Sequence, residues 1–166
     1  MKNKGFTLIE LVVVIALMIV LIAVMGLGFA TVNNMKVEEV AQQYHTGLEN
    51  AQATCMSKNG GKITLSIQGD YIVMKIYDAK DNIRTDKQLG LSRYVTVTYY
   101  EKNSSGMETE PAVELSDKPI ELSYDTVSGA FKFQEGTNGI SRIVFSNGKK
   151  TKTITLFSNT GKNVLE

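Results

Sequence analysis

The sequence has few of the residues on which small exported domains and many enzymes depend: it contains one cysteine, Cys55, and one histidine, His45. A single cysteine excludes an intramolecular disulfide, so packing must hold any folded domain together. A catalytic triad, a histidine-based zinc site or a histidine general base would have to be built around His45, and no spacing indicates one. We therefore expect a protein that is not an enzyme and binds no metal or cofactor. We interpret Cys55 as a small buried hydrophobic residue and His45 as a surface residue of a helix.

An excess of charge of one sign is also missing, since 18 Lys and Arg residues against 17 Asp and Glu residues leave a net charge of +1. No strongly basic field draws in nucleic acid, so we do not expect nucleic acid as the main partner. The lysines near the C-terminus leave contact with DNA, another polyanion or a partner subunit open; they are Lys149, Lys150, Lys152 and Lys162. Alternating lysines also protect exposed sheet edges against aggregation, which is the interpretation we favour.

One long apolar segment dominates the beginning of the chain. Residues 11–35 carry no charge, and a helix of that length crosses a hydrocarbon core of roughly 30 Å. Lys2 and Lys4 precede it, which predicts a cytoplasmic N-terminus and export of the remainder. Glu10 is the one acid in this region, and a carboxylate at the centre of an apolar span costs on the order of 2.5–3.5 kcal/mol. Glu10 therefore calls for a functional explanation.

Cleavage between Gly5 and Phe6 would supply Glu10 with a partner, because it creates a new α-amino group close to the carboxylate in sequence. The two charges could pair within one subunit or between neighbours, and a helix N-terminus favours an acid electrostatically. The alternative is that Glu10 lies in the headgroup zone and has no role.

The stretch from Lys2 to about Val20, which begins KNKGFTLIELVVVIA, resembles the N-terminus of type IV prepilins and type II secretion pseudopilins. In that family a membrane aspartic peptidase cuts after the glycine that ends a short basic leader, and it methylates the new N-terminal residue. The resemblance implies that residues 1–5 are the leader, cut after Gly5, and that Phe6 is the methylated first residue. It implies that Glu10 partners a neighbouring subunit's N-terminus during assembly.

The same resemblance implies a structural subunit of a pilus or pseudopilus that serves secretion, DNA uptake, adhesion or motility. Its partners would be other pilin subunits, the prepilin peptidase and the inner-membrane platform protein of the assembly machine. The protein would lie first in the cytoplasmic membrane as a single-pass protein and then in an extracellular or cell-envelope filament. Many related pilins close a C-terminal loop with a disulfide, which this sequence cannot do. The pattern of residues 140–165 resembles minor, H-type pseudopilins and related minor pilins.

Two other interpretations stay open. An ordinary secretory signal peptide has an apolar core of about 7–15 residues and a small-x-small cleavage site, which Gly28-Phe29-Ala30 supplies. An unprocessed signal anchor would keep the N-terminus in place. Either one would deliver a membrane-anchored or secreted β-rich binding module. The length of the apolar core and the presence of Glu10 favour the prepilin interpretation.

Beyond residue 35 a helical pattern continues to about residue 58. Its apolar positions recur at spacings of three and four, at Val37, Val40, Tyr44, Leu48, Ala51 and Cys55. Alternating segments then predict strands at 62–67, 71–77, 93–100, 120–124, 130–133, 140–145, 151–157 and 163–165. We expect an α+β fold: a long N-terminal helix, transmembrane over residues 6–34, packed on an antiparallel sheet of about seven to eight strands. Residues 35–166 would form the exported domain.

Two polar stretches, residues 78–89 and 101–118, are predicted as loops. The first contains Asp78, Asp81 and Asp86, and calcium favours such oxygen ligands. The spacing does not match an EF-hand, so a solvated loop is the interpretation we favour, and calcium is the alternative.

Overall fold

The computed structural model of the protein describes residues 7–57, 60–102, 106–132 and 139–166, with the backbone alone over residues 23–34. Within these residues the fold is α+β, with one helix, α1, and ten strands in two antiparallel sheets. The chain divides into two compact units, Met1–Asn33 and Asn34–Glu166. The second unit, called the globular unit below, contains both sheets.

Helix α1 runs over Leu8–Ser57, so its end agrees with the predicted end near residue 58. In the first unit, the large apolar side chains described from Leu8 to Ile22 are 48% to 81% exposed. Within the described part of the chain, no helical segment combines the length and apolar character that crossing a bilayer requires. The assignment of residues 6–34 as a transmembrane and assembly helix stays a prediction, because part of that range lies outside the described residues.

The later part of α1 confirms the predicted apolar stripe. All six of its members are buried, with exposures of 0% to 2%: Val37, Val40, Tyr44, Leu48, Ala51 and Cys55. The spacing of three and four residues places these side chains on one face of the helix, and burying that face stabilises the helix more than its intrinsic propensity does. The globular unit therefore has its core on this face of α1.

The strands follow α1 in chain order. They are β1 Gly61–Gln68, β2 Tyr71–Asp78, β3 Ile83–Leu91, β4 Thr96–Lys102, β5 Val113–Glu114, β6 Ile120–Tyr124, β7 Phe131–Lys132, β8 Gly139–Ser146, β9 Thr151–Phe157 and β10 Lys162–Leu165. The first sheet has the order β3-β2-β1-β6-β7 and the second has the order β10-β9-β8-β4-β5. Every pairing is antiparallel.

One buried cluster draws on α1 and on both sheets. Tyr44 of α1 packs against Phe145 of β8, with ring centroids 5.9 Å apart. Tyr124 of β6 donates its hydroxyl to the carbonyl of Leu48 at 3.0 Å. The helix is thus tied to the first sheet by a hydrogen bond and to the second by an aromatic contact. Burial of these large side chains supplies the cohesion that a disulfide gives to disulfide-bonded domains of similar size.

The structure corrects the predicted loop at residues 78–89, which contains most of β3. Only Leu89 of β3 is fully buried, so the strand lacks the alternation that identifies a half-buried strand. It forms because its backbone pairs with β2, and the ion pair between Lys75 and Asp86 at 3.3 Å crosses that edge. Charged side chains are typical of edge strands, where they oppose pairing with other molecules.

Two further corrections concern the strand count and β4. The described residues form ten strands in two sheets, against about seven to eight predicted in one sheet, because β3 and β5 lie in stretches predicted as loops. Strand β4 begins at Thr96 instead of residue 93, since the amide of Tyr94 donates to the carbonyl of Leu91 at 3.1 Å and closes a turn there. The end of the predicted strand 130–133 lies outside the described residues.

Candidate functional site

The first part of the candidate site is the start of α1. The predicted cleavage position, Gly5, and the predicted methylation position, Phe6, lie outside the described residues. Thr7 directly precedes α1, and Glu10 lies in its first turn. The structure therefore describes the environment of one of the three predicted site residues, Glu10.

Thr7 and Glu10 form a reciprocal pair of hydrogen bonds. The backbone amide of Thr7 donates to Oε2 of Glu10 at 2.8 Å, and the Thr7 hydroxyl donates to the same oxygen at 2.9 Å. The amide of Glu10 donates to Oγ1 of Thr7 at 3.3 Å. This is a capping box, in which the residue before the helix and the third helical residue satisfy each other's free amide groups. Cleavage after Gly5 would leave the Phe6–Thr7 peptide bond intact, so the cap would survive processing.

The cap assigns Glu10 a partner that the sequence analysis did not name. Thr-x-x-Glu before an apolar run is the signal that would have identified it. All the hydrogen bonds that the described residues make to the carboxylate end on Oε2. The second carboxylate oxygen, Oε1, accepts no hydrogen bond from the described residues.

The apolar side chains that follow Glu10 are exposed on all sides of the helix. Leu11, Ile15 and Ile22 are 59%, 51% and 69% exposed. Soluble monomers rarely expose continuous apolar surface of this extent, and such surface marks contact with lipid or with another protein. The apolar surface of the first unit is therefore of the kind that lipid or another protein buries.

The structure does not bring the three aspartates of the predicted loop together. Asp81 pairs with Lys62 at 3.2 Å, and Asp86 pairs with Lys75 as described above. Asp78 is 7% exposed, accepts from the amides of Lys80 and Asn82 at 2.9 Å, and pairs with Arg84 at 2.8 Å. Hydrogen bonds to its carboxylate lower the pKa of Asp78 to about 2, and the bond from the Asn82 amide contributes most to this shift.

Asp78 thus stabilises the turn between β2 and β3, because the donors around it belong to that turn and to the start of β3. The described residues contain no group of three or more side chains that could hold a metal ion.

The other predicted single residues are placed as follows. Cys55 is a free, buried thiol of α1, as predicted, and burial raises its pKa. His45 is half-buried instead of lying fully on the surface. Tyr44, next to it, is fully buried, and its hydroxyl has no hydrogen-bond partner within the described residues.

Of the four lysines that cluster near the C-terminus in sequence, Lys162 is separated from the other three in the structure. Lys150 forms an ion pair with Glu38 of α1, which places the turn between β8 and β9 beside the beginning of the globular unit. Lys149 and Lys152 flank Lys150 in this turn and in early β9. Lys162 pairs in register with Phe157, at the far end of β9. At about 3.4 Å per residue, Lys152 and Phe157 are about 17 Å apart along the strand.

Two more cations lie near the beginning of the globular unit. The Nζ atom of Lys36 is 3.8 Å from the ring centroid of Tyr94, and the guanidinium carbon of Arg93 is 5.0 Å from the same centroid. We call Lys36, Arg93, Lys149, Lys150 and Lys152 together the basic face. A pocket of about 260 Å³ adjoins it, lined in part by Lys36, Tyr71 and Tyr94.

Comparison with known proteins found one family match. The family described as the prokaryotic N-terminal methylation motif matches residues 1–26. No curated protein and no solved structure matches the chain. The matched range includes Gly5, Phe6 and the Thr7–Glu10 cap, and it ends within the apolar run. The N-terminus of this chain is therefore a type IV prepilin-like leader signature, a prokaryotic N-terminal methylation motif.

Proposed function

We propose that the chain is a structural subunit of a type IV pilus or pseudopilus, made as a precursor, cut after Gly5 and methylated on Phe6. The single observation that carries this proposal is the methylation motif over residues 1–26. The motif supports a pilin-like or pseudopilin precursor that is anchored in a membrane before it enters a filament. The capped, exposed apolar helix that follows supplies the surface that such assembly needs.

Glu10 sets the register between subunits in this proposal. Lipid tails are as apolar as Leu and Ile side chains, so moving an apolar helix from lipid into a bundle gains little hydrophobic energy. The free energy of a carboxylate changes far more on this transfer. An unpaired charge costs much free energy in an apolar medium, and a charge that is paired with an amine costs less. Oε1 of Glu10 would accept from the methylated amine of a neighbouring Phe6, while Oε2 keeps the cap with Thr7.

The precursor would lie in the cytoplasmic membrane with its N-terminus cytoplasmic, as Lys2 and Lys4 favour. Residues 6–34 would form the membrane segment and, later, the core of the filament. The partners in this pathway are the prepilin peptidase, the inner-membrane platform protein and further copies of pilin subunits. The globular unit would face outward and contact its neighbours.

The substitution Glu10→Gln tests the proposal and separates the two roles of this residue. Glutamine also serves as the third helical residue of a capping box, so the variant keeps the cap and loses the charge. We expect normal insertion and processing but incorporation into filaments reduced about tenfold or more, because a hydrogen bond to a charged group contributes about 1.5–3 kcal/mol. The measurement is the ratio of filament-bound to membrane-bound subunit in the host.

The matched control is Thr7→Val, which removes the capping hydroxyl and keeps the charge. We expect it to assemble nearly as well as the natural chain. Unchanged incorporation of Glu10→Gln, together with a defect in Thr7→Val, would assign Glu10 to the cap alone and contradict the proposed pairing between subunits.

A further inference from the structure

We propose that the basic face docks on anionic phospholipid headgroups while the precursor is anchored in the membrane. This inference rests on the proposed function, since it requires the apolar segment to be held in lipid. It assigns a partner to the lysines near the C-terminus, for which the sequence favoured edge protection.

The first argument is the position of the face along the chain. Asn33, Asn34 and Met35 alone separate Val32, at the end of the apolar run, from Lys36. Four residues of extended chain span at most about 14 Å, whatever their conformation. The headgroup layer adds about 5–8 Å on each side of the hydrocarbon core. Lys36 must therefore lie at or near the lipid headgroups once the apolar run is inserted.

The second argument is that the fold gathers the other cations around the same place. The ion pair between Lys150 and Glu38 fixes the turn between β8 and β9 two residues further along α1 than Lys36. Lys152 is the second residue of β9, directly after this turn, so it lies at the same end of the globular unit. Residues far apart in sequence thus share one end of the globular unit.

The third argument is that most of these cations form no ion pair with a carboxylate of the described residues. Lys36, Arg93, Lys149 and Lys152 form no ion pair within the described residues, and Lys150 is the exception. Lys36 and Arg93 both lie close to the ring of Tyr94. Because the two positive charges repel each other there, an anion that binds both of them is favoured.

Four acidic side chains lie near the face, against five cations. Glu38 pairs with Lys150, and Glu39 lines the adjoining pocket. Asp70 accepts from the Ser92 amide through its backbone carbonyl, and Glu166 is backbone-paired with Thr153, next to Lys152. The face thus keeps an excess of positive charge.

The apolar groups beside the face favour a lipid surface over nucleic acid. Met35 is 63% exposed and Tyr71 is 42% exposed, and Tyr94 lies between the cations. Tyrosine is enriched where membranes meet water, and lysines next to a membrane segment are attracted to anionic headgroups. A polyanion such as DNA would need access to a face that the chain tethers close to the bilayer.

The test uses the full chain in lipid nanodiscs made of phosphatidylcholine alone or mixed with phosphatidylglycerol. A water-soluble acylating reagent labels accessible lysines, and mass spectrometry measures the extent at each one. We expect acylation of Lys36, Lys149 and Lys152 to fall about fivefold in the anionic discs, the factor that attraction of one lysine to such a surface represents. About 1 M salt, where the Debye length is about 3 Å, should abolish the protection.

Lys80 and Lys162 are the internal references. Lys80 follows β2, whose length puts it about 20 Å or more from Tyr71, and Lys162 lies beyond the far end of β9. Their labelling should not depend on the lipid. The double variant Lys149→Glu/Lys152→Glu should lose most of the protection of Lys36, and the matched variant Lys162→Glu should keep it.

Equal labelling of the basic face in the two kinds of disc, or protection that high salt leaves unchanged, would overturn this inference alone. Protection by duplex DNA in phosphatidylcholine discs, without protection by anionic lipid, would overturn it in favour of nucleic acid. Failure of the full chain to stay in the discs would overturn the proposed function and this inference with it.

Discussion

Two buried tyrosines of the globular unit should respond in opposite directions to the same chemical change. Tyr44 and Tyr124 are 0% and 2% exposed, and both hydroxyls lie in the core. The Tyr124 hydroxyl donates to the carbonyl of Leu48 at 3.0 Å, whereas the Tyr44 hydroxyl has no partner within the described residues. Burial raises the pKa of each, so both are neutral at physiological pH.

The substitution of phenylalanine removes one oxygen and keeps the ring. A buried polar group without a partner costs about 1–3 kcal/mol, so Tyr44→Phe should raise the free energy of unfolding, by about 1 kcal/mol after the small loss of packing. A satisfied hydrogen bond contributes about 0.5–1.5 kcal/mol, so Tyr124→Phe should lower the free energy of unfolding by that amount. The predicted difference between the variants is about 2 kcal/mol.

Urea unfolding of the full chain in detergent, followed by near-ultraviolet circular dichroism, measures both values. The dependence of the free energy on urea should be the same in the three proteins, because the surface exposed on unfolding hardly changes. A loss of stability in Tyr44→Phe equal to that in Tyr124→Phe would refute the reasoning, since it would mean that the Tyr44 hydroxyl has a partner.

Three further predictions concern other parts of the described chain. Because the folded-state pKa of Asp78 is lowered to about 2, its stabilising contribution is present above the unfolded value near 4 and is lost as the pH falls towards 2. Thermal unfolding should show this loss in the natural chain, and Asp78→Asn should lack that component. A side chain at Gly90 would place its Cβ 2.7 Å from Cγ2 of Val40, so Gly90→Ala should cost about 1–3 kcal/mol in urea unfolding. Thr7→Ala should destabilise the start of α1 by about 1 kcal/mol, measured as faster amide exchange over its first turn, with Thr7→Ser restoring the natural rate.

The apolar stripe of α1 was predictable because it depends on local periodicity. Val37, Tyr44 and Cys55 are spaced so that any helix through them has one apolar face, and the globular unit buries that face. The hairpin of β1 and β2 was predictable for a related reason: two alternating segments flank Gly69, whose φ of 59° suits a tight turn. In both places the signal and the structure lie in the same short stretch.

The division into two sheets was not predictable in this way. It is set by the pairing of β1 with β6 and of β4 with β8, which joins segments far apart in the chain. Strand β3 was missed because an edge strand pairs through its backbone, and its side chains, such as Asp86, face solvent. Lys162 is separated from the basic face by the length of β9, because it pairs with Phe157 at the far end of that strand.

The candidate site was partly readable from the sequence. The residues around Gly5 and Phe6 carry a motif, and the family match covers them. The cap between Thr7 and Glu10 was also predictable from the sequence, because Thr-x-x-Glu before an apolar run is the pattern of a capping box. The basic face could not be found by sequence, because it joins α1, the turn before β4 and the turn before β9.

The most direct test of the central claim is the intact mass of the protein isolated from the membranes of its host. The account predicts a chain that has lost residues 1–5 and gained one methyl group on the amine of Phe6. A mass that still includes Lys2 and Lys4, or one that corresponds to cleavage after Ala30, would contradict it.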